Sequence, residues 1–91
     1  MVKHNQQSED RFVTMMGRDN ALRDLVGYLS SNFVVGDEIP SERHLEDEIG
    51  YSRAKMREAL IKLECFGFID IQHGKPNILL KLVMKKSLLR K

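Results

Sequence analysis

Two arginines four residues apart, Arg53 and Arg57, are the side chains of this sequence best suited to recognition chemistry. A guanidinium is planar and can bond both O6 and N7 of one guanine edge. The i, i+4 spacing puts the two on one polar side of a helix. Ser52 precedes them as a hydroxyl able to cap that helix or meet a phosphate near its positive end, and Ala54 and Lys55 lie between them. The plainer alternative is that both arginines are solvated charges, with Arg57 paired to an acid.

Other chemistries find little support. Cys65 is the only cysteine, which excludes an intrachain disulfide and a cysteine metal cluster. Next to Glu64 and Phe66 it reads as a half-buried, inert thiol. His4, His44 and His73 are scattered without metal-ligand spacing. No G-x-S-x-G elbow, P-loop or G-x-G-x-x-G run is present. No enzyme activity, metal or cofactor is expected.

The elements that must position the arginines follow from local pattern. Met56, Ala59, Leu60 and Leu63 recur at helical spacing, so residues 52–66 are predicted as a helix with one buried face, stopped by Gly67. Ser41 caps a shorter helix before it, with Glu42 in the first turn, Leu45 and Ile49 buried and Gly50 at its end. Only Tyr51 separates Gly50 from Ser52, so the two helices form a helix-turn-helix. Beyond Gly67 the period changes to alternation. Phe68–His73 and Ile78–Val83 read as strands joined by Gly74-Lys75-Pro76-Asn77, a hairpin wing. Upstream, Leu22, Leu25, Val26 and Leu29 give residues 18–32 the stripe of an amphipathic helix, and Ile39-Pro40 reads as a brief extended piece.

At 91 residues the chain is one small domain. Residues 1–17 are expected to be an N-terminal arm, disordered or a short helix from Ser8 to Gly17. Residues 18–83 form the folded unit, and 84–91 a basic, frayed tail. No signal peptide or bilayer-spanning run is visible, so the expected location is the cytoplasm. The net charge of +2 hides a split: residues 1–50 hold five Lys/Arg against ten Asp/Glu, and residues 51–91 hold ten against three. A positive field beginning where the arginine helix begins favours a polyanionic partner.

Helix, short helix, tight turn, helix and hairpin make a fold that is mainly α with a small β-hairpin, a winged helix-turn-helix. The residues then resemble those of a known family. Gly36-Asp37-Glu38-Ile39-Pro40-Ser41-Glu42-Arg43-His44-Leu45 resembles the G-x-x-L-P-S-E-R-x-L motif of GntR-type regulators. Ser52-Arg53, Met56-Arg57-Glu58-Ala59-Leu60 and Leu63-Glu64 are similar to that family's S-R-x-x-V-R-E-A-L-x-x-L-E helix, and Gly67-Phe68-Ile69 to its lead into the wing. Ile71-Gln72-His73-Gly74-Lys75-Pro76 is similar to the wing of the FadR branch, the fatty-acid-responsive regulators.

The resemblance, over residues 18–80, implies a transcriptional regulator, in the first instance a repressor, that binds double-stranded DNA sequence-specifically. It implies that Arg53 and Arg57 enter the major groove, with Arg43 reaching a base edge or phosphate beside them. His73 and Gly74 would enter the minor groove, with Lys75 beside them as generic basic surface, like Lys81, Lys85 and Lys86. A homodimer on a palindromic site is the expected arrangement. Two departures bear on specificity. Ala54 and Lys55 stand where the family usually has hydroxyl residues, so Ala54 is placed to touch a thymine methyl and Lys55 a phosphate or guanine. Asn77-Ile78-Leu79-Leu80 replaces the usual Gly-Thr-hydrophobic-Val after the wing. About a dozen residues follow the wing, too few for the family's C-terminal effector-binding domain. An alternative function is therefore a truncated winged-helix interaction module that pairs with or antagonises a full-length regulator. For Arg43 the alternative is an ion pair with the acidic run Glu46-Asp47-Glu48, and for His73 an ordinary loop histidine.

Overall fold

The computed structural model describes residues 3–81, and the expected tail at 84–91 and the strand end at Val83 lie outside them. Four helices and three short strands follow in the order α1 (Lys3–Arg18), α2 (Asn20–Asn32), β1 (Glu38–Ile39), α3 (Glu42–Ile49), α4 (Arg53–Cys65), β2 (Ile69–Asp70) and β3 (Asn77–Leu79).

The helix boundaries have local chemical causes. Asp19 caps α2, its carboxylate accepting from the Leu22 N–H at 3.1 Å. Ser41 caps α3 by accepting from the His44 N–H at 3.2 Å, and Ser52 caps α4 by accepting from the Lys55 N–H at 3.2 Å. Gly50, at φ 94°, ends α3 in the left-handed conformation that an L side chain resists. At the end of α4 the Gly67 N–H bonds Glu64 and the Phe68 N–H bonds Leu63, both at 2.9 Å. This pair of bonds is a Schellman stop, and it delivers the buried Phe68 onto Leu63 at the head of the wing.

The expected hairpin is one part of a three-stranded antiparallel sheet of order β1-β3-β2. Glu38 pairs with Ile78 and Ile39 with Asn77 on one side of β3, and Ile69 pairs with Leu79 and Asp70 with Ile78 on the other. The extended piece before Pro40 is thus an edge strand, and proline just past its end removes no ladder bond. Strands β2 and β3 are shorter than expected. Between them the Gln72 N–H bonds the Asn77 side-chain oxygen at 3.1 Å, so the residue that departs from the family pattern closes the wing loop.

Two further expectations are corrected. The N-terminal segment is a 16-residue helix that starts before Ser8 and runs through Gly17. Its Phe12 is fully buried, 5.0 Å from the Phe66 ring and 4.7 Å from the Phe68 ring between centroids, and Met16 is buried beside it. This aromatic cluster joins α1 to the end of α4 and to the wing. Cys65 is exposed, not half-buried. In the rest of the core Leu22, Leu25, Val26 and Leu29 of α2, Leu45 of α3, and Met56, Ala59, Leu60 and Leu63 of α4 meet Ile39, Ile69 and Leu79 of the sheet as the periodicities require, while Ile49, expected to be buried, is only partly so.

Candidate nucleic-acid interface

The α3–α4 turn is fixed from behind. Tyr51 donates its hydroxyl to Asp24 of α2 at 2.7 Å, and that bond raises the Tyr51 pKa by stabilising the protonated phenol. Lys62 near the other end of α4 meets Asp19 at 2.6 Å. The bond holds Asp19 below the ordinary carboxylate range and Lys62 above its ordinary value. The recognition-helix candidate therefore sits on α2 as a platform, tied to it near both ends.

On that platform Arg53, Ala54 and Arg57 share one shallow exposed surface with Glu58 and Ile61. Each arginine is also held from α3. Arg57 donates from Nε to one Glu42 oxygen and from Nη2 to the other, both at 3.1 Å. This bidentate contact raises the Arg57 pKa by favouring the charged form. Arg53 Nε lies 3.6 Å from Glu46, an ion pair without hydrogen-bond geometry. The pairing considered for Arg57 exists, and it leaves most of the side chain in solvent, at 63% exposure.

The remaining candidates divide. Ser52 is exposed at the α4 N-terminus, next to Arg53. Lys55 turns to the other side of the helix, 3.8 Å from Glu58, and lines a groove with Arg11 and Arg18 of α1 and Tyr51. The structure does not bring it together with Arg53 and Arg57. Arg43 is exposed on α3 and makes no ion pair among the described residues, so the alternative pairing with the acidic run does not form. His73, Gly74 and Lys75 are exposed at the wing tip, with Gly74 at φ 71°. Gly74 and Lys75 border a cleft whose other wall is Ser41 and His44 at the start of α3. Lys81 is exposed, with its ammonium 5.0 Å from the centre of the Phe68 ring.

Three residues that sequence reasoning passed over belong to this surface. His44 faces the wing cleft, while Glu42 and Glu46 carry the arginines. The signal for the two acids was available. Their i, i+4 spacing on α3 matches that of Arg53 and Arg57 on α4, across a turn too short to separate the helices. Among the described residues no group of three His, Cys, Asp or Glu could hold a metal ion, and no helix is long and apolar enough to cross a membrane.

Residues 20–77 match the family described as "Bacterial regulatory proteins, gntR family". The chain is 50% identical over 44 residues to a "Fatty acid metabolism regulator protein" of Haemophilus influenzae (strain PittEE), covering 48% of this chain and 18% of the relative. A protein of the same name from Pasteurella multocida is 43% identical over 47 residues, 52% of this chain and 20% of the relative. The "Exu regulon transcriptional regulator" of Escherichia coli (strain K12) is 43% identical over 42 residues, 46% of this chain and 16% of the relative. The chain thus spans a fifth or less of the length of these curated relatives.

Proposed function

The chain belongs to the GntR family of bacterial regulatory proteins and carries its DNA-binding domain; from that premise we propose that it reads a specific duplex site with α4 in the major groove and the wing in the minor groove, acting as a cytoplasmic transcriptional repressor. The observation that carries this reading is the common exposed face of Arg53, Ala54 and Arg57 on a helix tied to α2 through Asp24 and Asp19. Side chains on a rigid element are presented to base edges with little ordering left to lose.

The roles divide by chemistry. Arg53 and Arg57 take guanine edges, and Ala54 takes a thymine methyl. The first N–H groups of α4 beyond the Ser52 cap point outward without helical partners, so a phosphate is met at the positive end of the helix. Lys55, on the far side of α4, takes backbone rather than bases. Arg43 contacts a base edge or phosphate beside α4. His73 enters the minor groove with Gly74 and Lys75, and His44 extends that contact along the cleft between wing and α3. Two copies on a palindromic site would place two such faces in successive major grooves. Repression follows where such a site overlaps a promoter, since a duplex covered in both grooves is closed to polymerase.

Selection from a random-sequence duplex library tests the proposal. The expected result is enrichment of a short site, guanine-containing where the arginines fall, and failure to enrich any sequence contradicts it.

A further inference from the structure

We infer that Glu42 and Glu46 of α3 are positioning residues for base recognition, holding Arg57 and Arg53 by their Nε sides so that the outer edges of the guanidinium groups face the DNA. The inference rests on the proposed duplex-binding reading and adds to it two acids that touch no base.

The geometry at Arg57 is side-on. Nε and Nη2 each donate to one oxygen of Glu42 at 3.1 Å. A guanidinium carries five N–H bonds, so three remain, two on Nη1 and one on Nη2. One from each Nη forms the end-on edge, which presents two parallel donors to guanine O6 and N7. Glu42 and a guanine can therefore hold the same guanidinium together without sharing a hydrogen. At Arg53 the acid again lies against Nε, at 3.6 Å, and among the described residues no hydrogen bond occupies the end-on edge.

The two contacts repeat as rungs. Glu42 and Glu46 are one helical turn apart on α3, as are Arg53 and Arg57 on α4, and the first acid meets the second arginine while the second meets the first. The acids lie inboard at 30% and 31% exposure, and the arginines reach past them at 63% and 57%. An exposed ion pair contributes little to stability. Its effect here is to order two long side chains before binding, which reduces the freedom lost on the DNA. The same carboxylates repel the phosphate backbone, so their removal acts with opposite sign on general attraction and on selectivity.

That opposition supplies the test. Duplexes selected by the wild-type chain, and a scrambled control, are titrated with wild type, Glu42→Gln, Glu46→Gln and Arg57→Ala at one salt concentration. Glu42→Gln should bind the scrambled duplex at least as tightly as wild type. Its ratio of selected to scrambled affinity should nevertheless fall about tenfold, within the discrimination that one bidentate arginine–guanine pair supplies. Glu46→Gln should lower the ratio less, as its contact is longer. Adding Glu42→Gln to Arg57→Ala should leave the ratio within about twofold of the single variant, since the acid acts through the arginine. If Glu42→Gln tightens both duplexes equally and keeps the ratio, the acid is a simple counter-charge and the inference is overturned while the DNA reading stands. A wild-type chain that prefers no duplex overturns both.

Discussion

Lys62 Nζ lies 2.6 Å from one oxygen of Asp19, while the other oxygen of that carboxylate accepts the Leu22 N–H at 3.1 Å. One side chain thus caps α2 and ties α4 to it. Each partner also suits its own helix, since Asp19 stands at a positive N-terminus and Lys62 in the last, negative turn of α4. The side chains are 18% and 31% exposed, so solvent screens this pair less than the outer ones.

Asp19→Asn keeps an oxygen for the cap and removes the charge. It should lower unfolding free energy by about 1 kcal/mol near neutral pH, measured by urea denaturation. Asp19 is depressed below its ordinary value of 3.8, so its contribution is present above that pH and lost as pH falls through the lowered folded value. Lys62 is raised above its ordinary 10.5, so its contribution is present below that pH and lost as pH rises through the raised folded value. The gap between wild type and variant should therefore hold across the middle range and close at both extremes. A gap independent of pH would show that the charges do not matter.

Phe12→Ala removes the ring at the centre of the Phe12–Phe66–Phe68 cluster. The expected loss is about 3–5 kcal/mol, the range for buried phenylalanine truncations. Val13→Ala, next to it but 42% exposed, should cost about 0.5 kcal/mol or less. Equal, small effects for the two would mean that α1 does not pack on the domain.

What the sequence disclosed, and what it hid, divides by range. Ser41, Gly50, Ser52 and Gly67 act on backbone within a few residues of themselves, so α3, α4 and their turn were legible. The buried stripes of α2 and α4 were legible for the same reason. Helix α1 was legible only as an arm, disordered or a short helix from Ser8 to Gly17, because the partners of Phe12 lie more than fifty residues away, at Phe66 and Phe68. Strand β1 has two residues, too few to show alternation, and exists only through its pairing with β3. Among the candidate residues, the shared exposed face of Arg53 and Arg57 followed from their spacing. By the same spacing Lys55, two residues from each, falls on the other side of the helix, while the pairing of Glu42 with Arg57 and Glu46 with Arg53 depends on how α3 lies against α4.

Base readers and phosphate contacts should separate in mutants. Arg53→Ala should weaken the selected duplex by about 1–3 kcal/mol and relax preference at one base position. Lys75→Ala should weaken all duplexes alike and reduce the salt slope by about one. Lys81→Ala should weaken all duplexes alike but by less, because its exposed ammonium also rests over Phe68. A competition titration on single-base variants of the site distinguishes these patterns.

Ser52 is assigned two tasks, and glycine separates them. Glycine is an acceptable N-cap, so Ser52→Gly should cost only a few tenths of a kcal/mol of stability. Loss of a phosphate contact should still weaken DNA binding, by about 1 kcal/mol. Unchanged affinity in a stable Ser52→Gly chain would limit Ser52 to capping.

The most direct measurement is the affinity of the full chain for its selected duplex and for a scrambled one across a salt series. Phosphate contacts release counterions, at about 0.9 in slope for each contact. Both duplexes should therefore show affinity falling steeply and linearly with salt on logarithmic axes. The selected duplex should stay tighter throughout, by about a thousandfold or more. Two coincident lines, or affinities indifferent to salt, would contradict the assignment of this surface to sequence-specific duplex DNA.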